Sequence, residues 1–214
     1  MSSIFNYDNK FLNGISKIVD SIVLGGLWMI CSIPVITIGA SSTAFYYAYN
    51  KSVRQKRGYT YKEFFHAFKT NFKQSTLGWL LSVALYIVTF LDFSILYVML
   101  ETSDLAKYLL IVIFIVFLLL TIWVLYFFPY VARFQNTTKE AMKNCLLIML
   151  ANLPWSVLLV LLFLAAAAAF LLVPLISILV PTIYIVFANL ILEHVFRKYM
   201  TEEDLEEAKI LDRE

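Results

Sequence analysis

The sequence predicts an all-α membrane protein, a polytopic helical bundle, and three observations carry that prediction. Of 214 residues, 61% are hydrophobic and only 15% are charged, whereas soluble domains have about 45–50% apolar and about 25% charged residues. The apolar residues also run in long charge-free stretches: residues 21–50, 74–91, 108–132 and 144–192. Finally, a soluble chain of this length has too much surface to hide that much apolar material, so lipid is its solvent. These counts exclude disorder, a disulfide scaffold and a soluble enzyme.

About twenty apolar residues cross a bilayer core, which sets the elements in order. Residues 11–33 form a first helix, ended near Ile33 by Pro34. Acidic Asp8 and Asp20 precede the apolar run, and its exit, Ile38-Gly39-Ala40, lacks the small residue a leader cleavage site needs, so the helix is read as retained. Residues 39–42 read as a loop with a helix start, followed by a short helix over 42–56 that either crosses the membrane or lies on it. Residues 59–73 read as an interfacial amphipathic helix, because Phe64, Phe65, Phe68 and Phe72 recur at helical spacing among Lys62, Lys69 and Lys73. Spans follow over 74–100 and 108–132. The 49 charge-free residues 144–192 must hold two more, divided by a turn between Pro174 and Pro181. Five or six spans result, six being favoured. Residues 1–200 are one membrane domain, and 201–214 an acidic tail whose Thr201 followed by acids reads as a helix start.

Charge orients the bundle. The tail carries seven acids and two bases, while residues 51–73 carry seven bases against Glu63 alone. Further bases stand at Arg133, Lys139, Lys143, Arg197 and Lys198. Bases gather on cytoplasmic loops, so these regions and the C-terminus are expected in the cytoplasm. A basic run between apolar spans, interleaved with Tyr and Phe, faces anionic lipid and not nucleic acid.

No sequence pattern for a nucleotide, metal or catalytic triad is present, and Cys31 and Cys145 stand apart. The chain is therefore expected to be no enzyme and to need no cofactor. Within the apolar helices, Asp92 is the most conspicuous candidate polar site, since charge in lipid is costly. It either acts within the membrane or reaches the headgroups or Lys107. Asp20 is a weaker candidate of the same kind. Asn152, before Leu153-Pro154-Trp155, places an amide at a helix break. Glu193 with His194 reads as a cytoplasmic boundary. Gly25-Gly26 and the alanines at 165–169 permit close helix approach.

Several segments carry a family resemblance: Ile4-Phe5-Asn6-Tyr7-Asp8-Asn9, then Leu27-Trp28-Met29-Ile30-Cys31-Ser32-Ile33-Pro34-Val35-Ile36-Thr37-Ile38-Gly39-Ala40. Thr43-Ala44-Phe45-Tyr46-Tyr47 and Phe64-Phe65-His66-Ala67-Phe68-Lys69-Thr70-Asn71-Phe72-Lys73-Gln74 follow. Together they resemble the YesL-like integral membrane proteins of Gram-positive bacteria, built around a domain of unknown function. The resemblance implies a plasma-membrane protein working beside a carbohydrate ABC importer, as an accessory or regulator of its permease or ATPase subunit. Phe64, Phe65, Phe68, Phe72, Lys62 and Lys69 are then the candidate docking residues. The alternative is a small transporter or channel in its own right, as a homo-oligomer, using Asp92.

Overall fold

The computed structural model describes residues 10–101, 103–172, 179–200 and 202. Seven α-helices follow one another among them: α1 (Lys10–Ser32), α2 (Ile38–Ala48), α3 (Thr60–Val98), α4 (Asp104–Arg133), α5 (Thr138–Ala151), α6 (Leu153–Leu172) and α7 (Leu179–Phe196). A π-helical turn, Tyr49–Arg54, extends α2. The chain is all-α, with no strand among the described residues.

Four helices among these residues are long and apolar enough to cross a bilayer: Thr60–Glu101, Asp104–Arg133, Leu153–Leu172 and Leu179–Tyr199. The short helix expected over 42–56 is corrected in both its start and its place. Its first turn begins at Ile38, so Gly39 to Ser42 are helical and no loop. With 11 residues α2 is about 16 Å long, too short to span. Instead it is buried, with Ala40, Ala44, Phe45, Tyr46 and Ala48 nearly inaccessible. Its neighbours are α1, α3 and α4. Trp28 Nε1 on α1 donates to Ser42 Oγ (3.1 Å), and Thr43 Oγ1 lies 2.8 Å from Ser75 Oγ on α3.

Close approach explains how α2 fits. A Cβ on Gly39 would lie 2.5 Å from the Ser75 carbonyl oxygen and 2.7 Å from Trp79 Cβ. Gly78 lets the Phe127 ring of α4 press onto α3 in the same way. Gly39 and Gly78 are thus places where only a small residue fits, whereas Gly26 has nothing within 4 Å of where a Cβ would stand.

The separate interfacial helix is the second correction. Residues 59–73 and 74–100 fold as one 39-residue helix, about 58 Å long. No proline or glycine occurs over residues 60–77, so the backbone hydrogen bonds continue across the change from polar to apolar at Lys73 and Gln74. The far half of α3 and the first half of α4, to Leu118, carry exposed Leu, Ile, Val and Phe, a surface suited to lipid. By contrast, more than half of the apolar stretch of α7 is buried (56%), the largest share among the four long apolar helices. Pro181, expected in a turn, sits in the first turn of α7, where its missing N–H costs nothing. Residues 173–178 and the tail at 201 and 203–214, with the expected Thr201 cap, lie outside the described residues.

Candidate functional site

The polar residues gather at one end of the bundle, the end that carries the bases. Their centre is Glu193, near the C-terminus of α7 and 3% exposed. Tyr46 Oη donates to Glu193 Oε1 (2.9 Å), and Asn50 Nδ2 donates to the same oxygen (3.0 Å). Arg54 Nη1 stands 3.6 Å from Oε2 and Arg133 Nε 3.6 Å from Oε1. Arg54 also donates to Asn189 Oδ1 (3.4 Å). One carboxylate is thus shared by two guanidiniums brought from the end of α2 and the end of α4. A buried charge is stable only when paired and hydrogen-bonded, and α2, α4 and α7 supply those partners together. Glu193 thus stands at the basic end of the bundle, where a boundary residue would, but buried and paired.

Beside this network lies a cavity of about 770 Å³ between the α2 π-turn, the basic half of α3 and the α4–α5 connection. Arg133 and Lys51 line it, as do His66, Asn71, Gln74 and Asn136. Lys51 Nζ is held by Glu63 (2.9 Å) and donates to Tyr47 Oη (3.2 Å). The Glu63 carboxylate, aided by Tyr47 and opposed by partial burial, raises the Lys51 pKa above the usual lysine range. Gln74 Nε2 donates to the Asn136 carbonyl (3.1 Å) and Asn71 Nδ2 to the Ala67 carbonyl (3.1 Å). Polar atoms without a hydrogen-bond partner include Asn50 Oδ1, Asn189 Nδ2 and Arg133 Nε. Among the described residues no three His, Cys, Asp or Glu side chains converge as metal ligands would.

The candidate docking residues divide between inside and outside. Phe64 is fully buried and Phe68 packs on the core, because they lie on the α3 face turned to α2 and the rest of the bundle. Phe64 therefore cannot be touched by a partner, and that part of the expectation is corrected. Phe65 (41% exposed), Lys62 and Lys69 face outward at i, i+3 and i+7 spacing, with Phe72 half-buried one turn on.

The candidate membrane residues do not converge either. Asp92 is exposed on α3, eighteen residues beyond Gln74 and so about 27 Å from the cavity. Lys107 pairs with Asp104 (2.7 Å) and not with Asp92. Asp20 is half-buried on α1. Asn152 does mark a break, between α5 and α6, where its buried amide holds chain ends together: Nδ2 donates to the Ile148 carbonyl (3.0 Å) and Tyr199 Oη (2.9 Å), and Oδ1 accepts from Lys198 (3.1 Å).

Sequence reasoning missed Tyr46, Asn50, Arg54, Arg133 and Glu193 as a unit. A signal was present, since Arg133 and Glu193 each follow directly on a charge-free stretch and carry opposite charge. No curated protein and no solved structure matches the chain. Residues 22–93, about a third of the chain running from α1 through α2 into the far half of α3, match the family described as protein of unknown function, DUF624, in keeping with the YesL-like resemblance.

Proposed function

We propose that the chain is a non-enzymatic, multi-pass protein of the bacterial plasma membrane that serves as an accessory or regulatory partner of a carbohydrate ABC importer. In this reading the basic end and the acidic tail face the cytoplasm. One observation carries it: the basic half of α3 is locked to the bundle along one face by Phe64 and Ala67 while Phe65, Lys62 and Lys69 project from the opposite side. A pre-ordered ridge of an aromatic residue flanked by cations is suited to a protein partner, because little side-chain or backbone freedom is lost on contact. The family resemblance supplies the class of partner.

The test is co-purification in gentle detergent from native membranes, comparing the wild type with Phe65→Asp. A permease or ATPase subunit is expected in near-equal amount with the wild type and several-fold less with Phe65→Asp, at unchanged membrane insertion. Unchanged association would remove the ridge as the contact. A clean homo-oligomer whose solute flux is abolished by Asp92→Asn would replace the reading with that of a small transporter, which the polar cavity favours.

A further inference from the structure

We propose that the cavity at the basic end binds a phosphate ester that carries free hydroxyls. This goes beyond partner docking and does not depend on it, since the ridge of Phe65 and the cavity lie on different faces of α3. The charged side chains lining the cavity, Lys51 and Arg133, are both cationic; the carboxylates that partner them, Glu63 and Glu193, do not line it. The lining Arg133 also shares its one carboxylate partner, Glu193, with Arg54. An anion entering there meets donors in a partly desolvated setting, where charge-assisted hydrogen bonds are strong.

Capacity remains on these donors. Lys51 has three N–H groups, of which Glu63 and Tyr47 take two. The Arg133 side chain is about a quarter exposed; its Nε–H is buried toward Glu193 and Nη2 donates to Met200 Sδ (3.6 Å), which leaves three of its five N–H groups. A bare anion would leave the other half of the lining unused. Asn71 and Gln74 commit their amide nitrogens to backbone carbonyls, which leaves their oxygens as acceptors. Acceptors want hydroxyl donors. Cationic donors beside amide acceptors match one molecule that has both a phosphate and hydroxyls, and about 770 Å³ is room for a hexose-sized ester. A free sugar phosphate and the headgroup of phosphatidylglycerol share that chemistry.

Calorimetric titration of the detergent-purified full chain tests the site with glucose 6-phosphate, glucose and inorganic phosphate as probes. Glucose 6-phosphate is expected to bind, with glucose at least about tenfold weaker. Thr70→Trp, which fills the cavity from an exposed position away from the Glu193 network, and Lys51→Gln should each weaken it about tenfold. Repeating the titration in nanodiscs separates the sources. Equal binding in phosphatidylcholine with and without phosphatidylglycerol supports a free ester. Binding lost only when phosphatidylglycerol is present supports the headgroup as occupant. Absence of glucose 6-phosphate binding both in detergent and in pure phosphatidylcholine would overturn the proposal. So would equal affinity for glucose, or undiminished binding by Thr70→Trp.

Discussion

The basic end of the bundle and the far halves of α3 and α4 satisfy their polar groups in opposite ways. In the far halves the hydroxyls of Thr89, Ser94 and Thr121 each donate to the carbonyl four residues back on their own helix (2.7–2.9 Å). At the basic end local bonds such as Asn71 to the Ala67 carbonyl are joined by remote ones: Tyr46 and Asn50 reach Glu193 across more than 140 residues. A lipid-facing helix has no water to complete its polar groups, so they close on their own backbone or on the next helix, as Tyr86 Oη does by donating to Thr121 Oγ1 (3.1 Å). Where helices end together, polar groups can close on one another, and the same interactions then fix which helices meet. The far halves hold by surface and solvent, the basic end by a specific arrangement.

Removing the centre of that arrangement should have the largest effect. Glu193→Gln leaves two guanidiniums, each about a quarter exposed, around a neutral amide, and should cost about 3 kcal/mol, read as thermal unfolding in detergent. Arg54→Gln, which leaves Arg133 on the carboxylate, should cost less. Equal stability of wild type and Glu193→Gln would show that the network holds nothing together.

Next in size is the packing of α2. Gly39→Ala adds a methyl against the Ser75 carbonyl and the base of Trp79, neither of which is the end of a flexible chain. Overpacking of this kind costs about 1–3 kcal/mol and should outweigh the roughly 1 kcal/mol gained in helix propensity. Gly26→Ala, with open space around it, should gain stability by up to about 1 kcal/mol. A Gly39→Ala protein as stable as Gly26→Ala would dismiss the close approach.

The smallest effect belongs to the start of α5, where Thr137 and Glu140 cap each other: Thr137 N and Oγ1 donate to Glu140 Oε2 (3.0 and 2.8 Å). Hydrogen bonds from the Thr137 side chain, then from its backbone, hold the Glu140 carboxyl below its usual pKa. Its folded pKa lies below the unfolded value, so the contribution is present above the ordinary glutamate range and fades as pH falls through the folded value. Thr137→Ala should cost about 1 kcal/mol at neutral pH, and the gap between variant and wild type should narrow in acid. A gap independent of pH would place the stabilisation elsewhere.

Composition and hydropathy made the membrane class and the bodies of α4 and α6 legible, because periodicity and charge-free length are local properties. Pro34 likewise marked the end of α1 to within about a residue. The sequence misled where a polar and an apolar segment join without a breaker, as at Lys73 and Gln74: amphipathicity changes there while helicity does not. It misled again over α2, whose burial comes from Gly39 and from packing between α1, α3 and α4, which the pattern within the segment does not show. The Glu193 network was hidden for a related reason. A carboxylate at the end of an apolar run looks alike whether it faces water or two arginines, and only the fold decides between them.

The unbroken course of α3 makes it a lever. One arm, from Thr60 to about Gln74, forms a wall of the cavity and bears the Phe65 ridge, and the other runs through the apolar region beside α4. A rod about 58 Å long that tilts by about 5° carries its far end about 5 Å. Because no break separates the two arms, a displacement of the cavity wall at one end is carried into the apolar arm at the other.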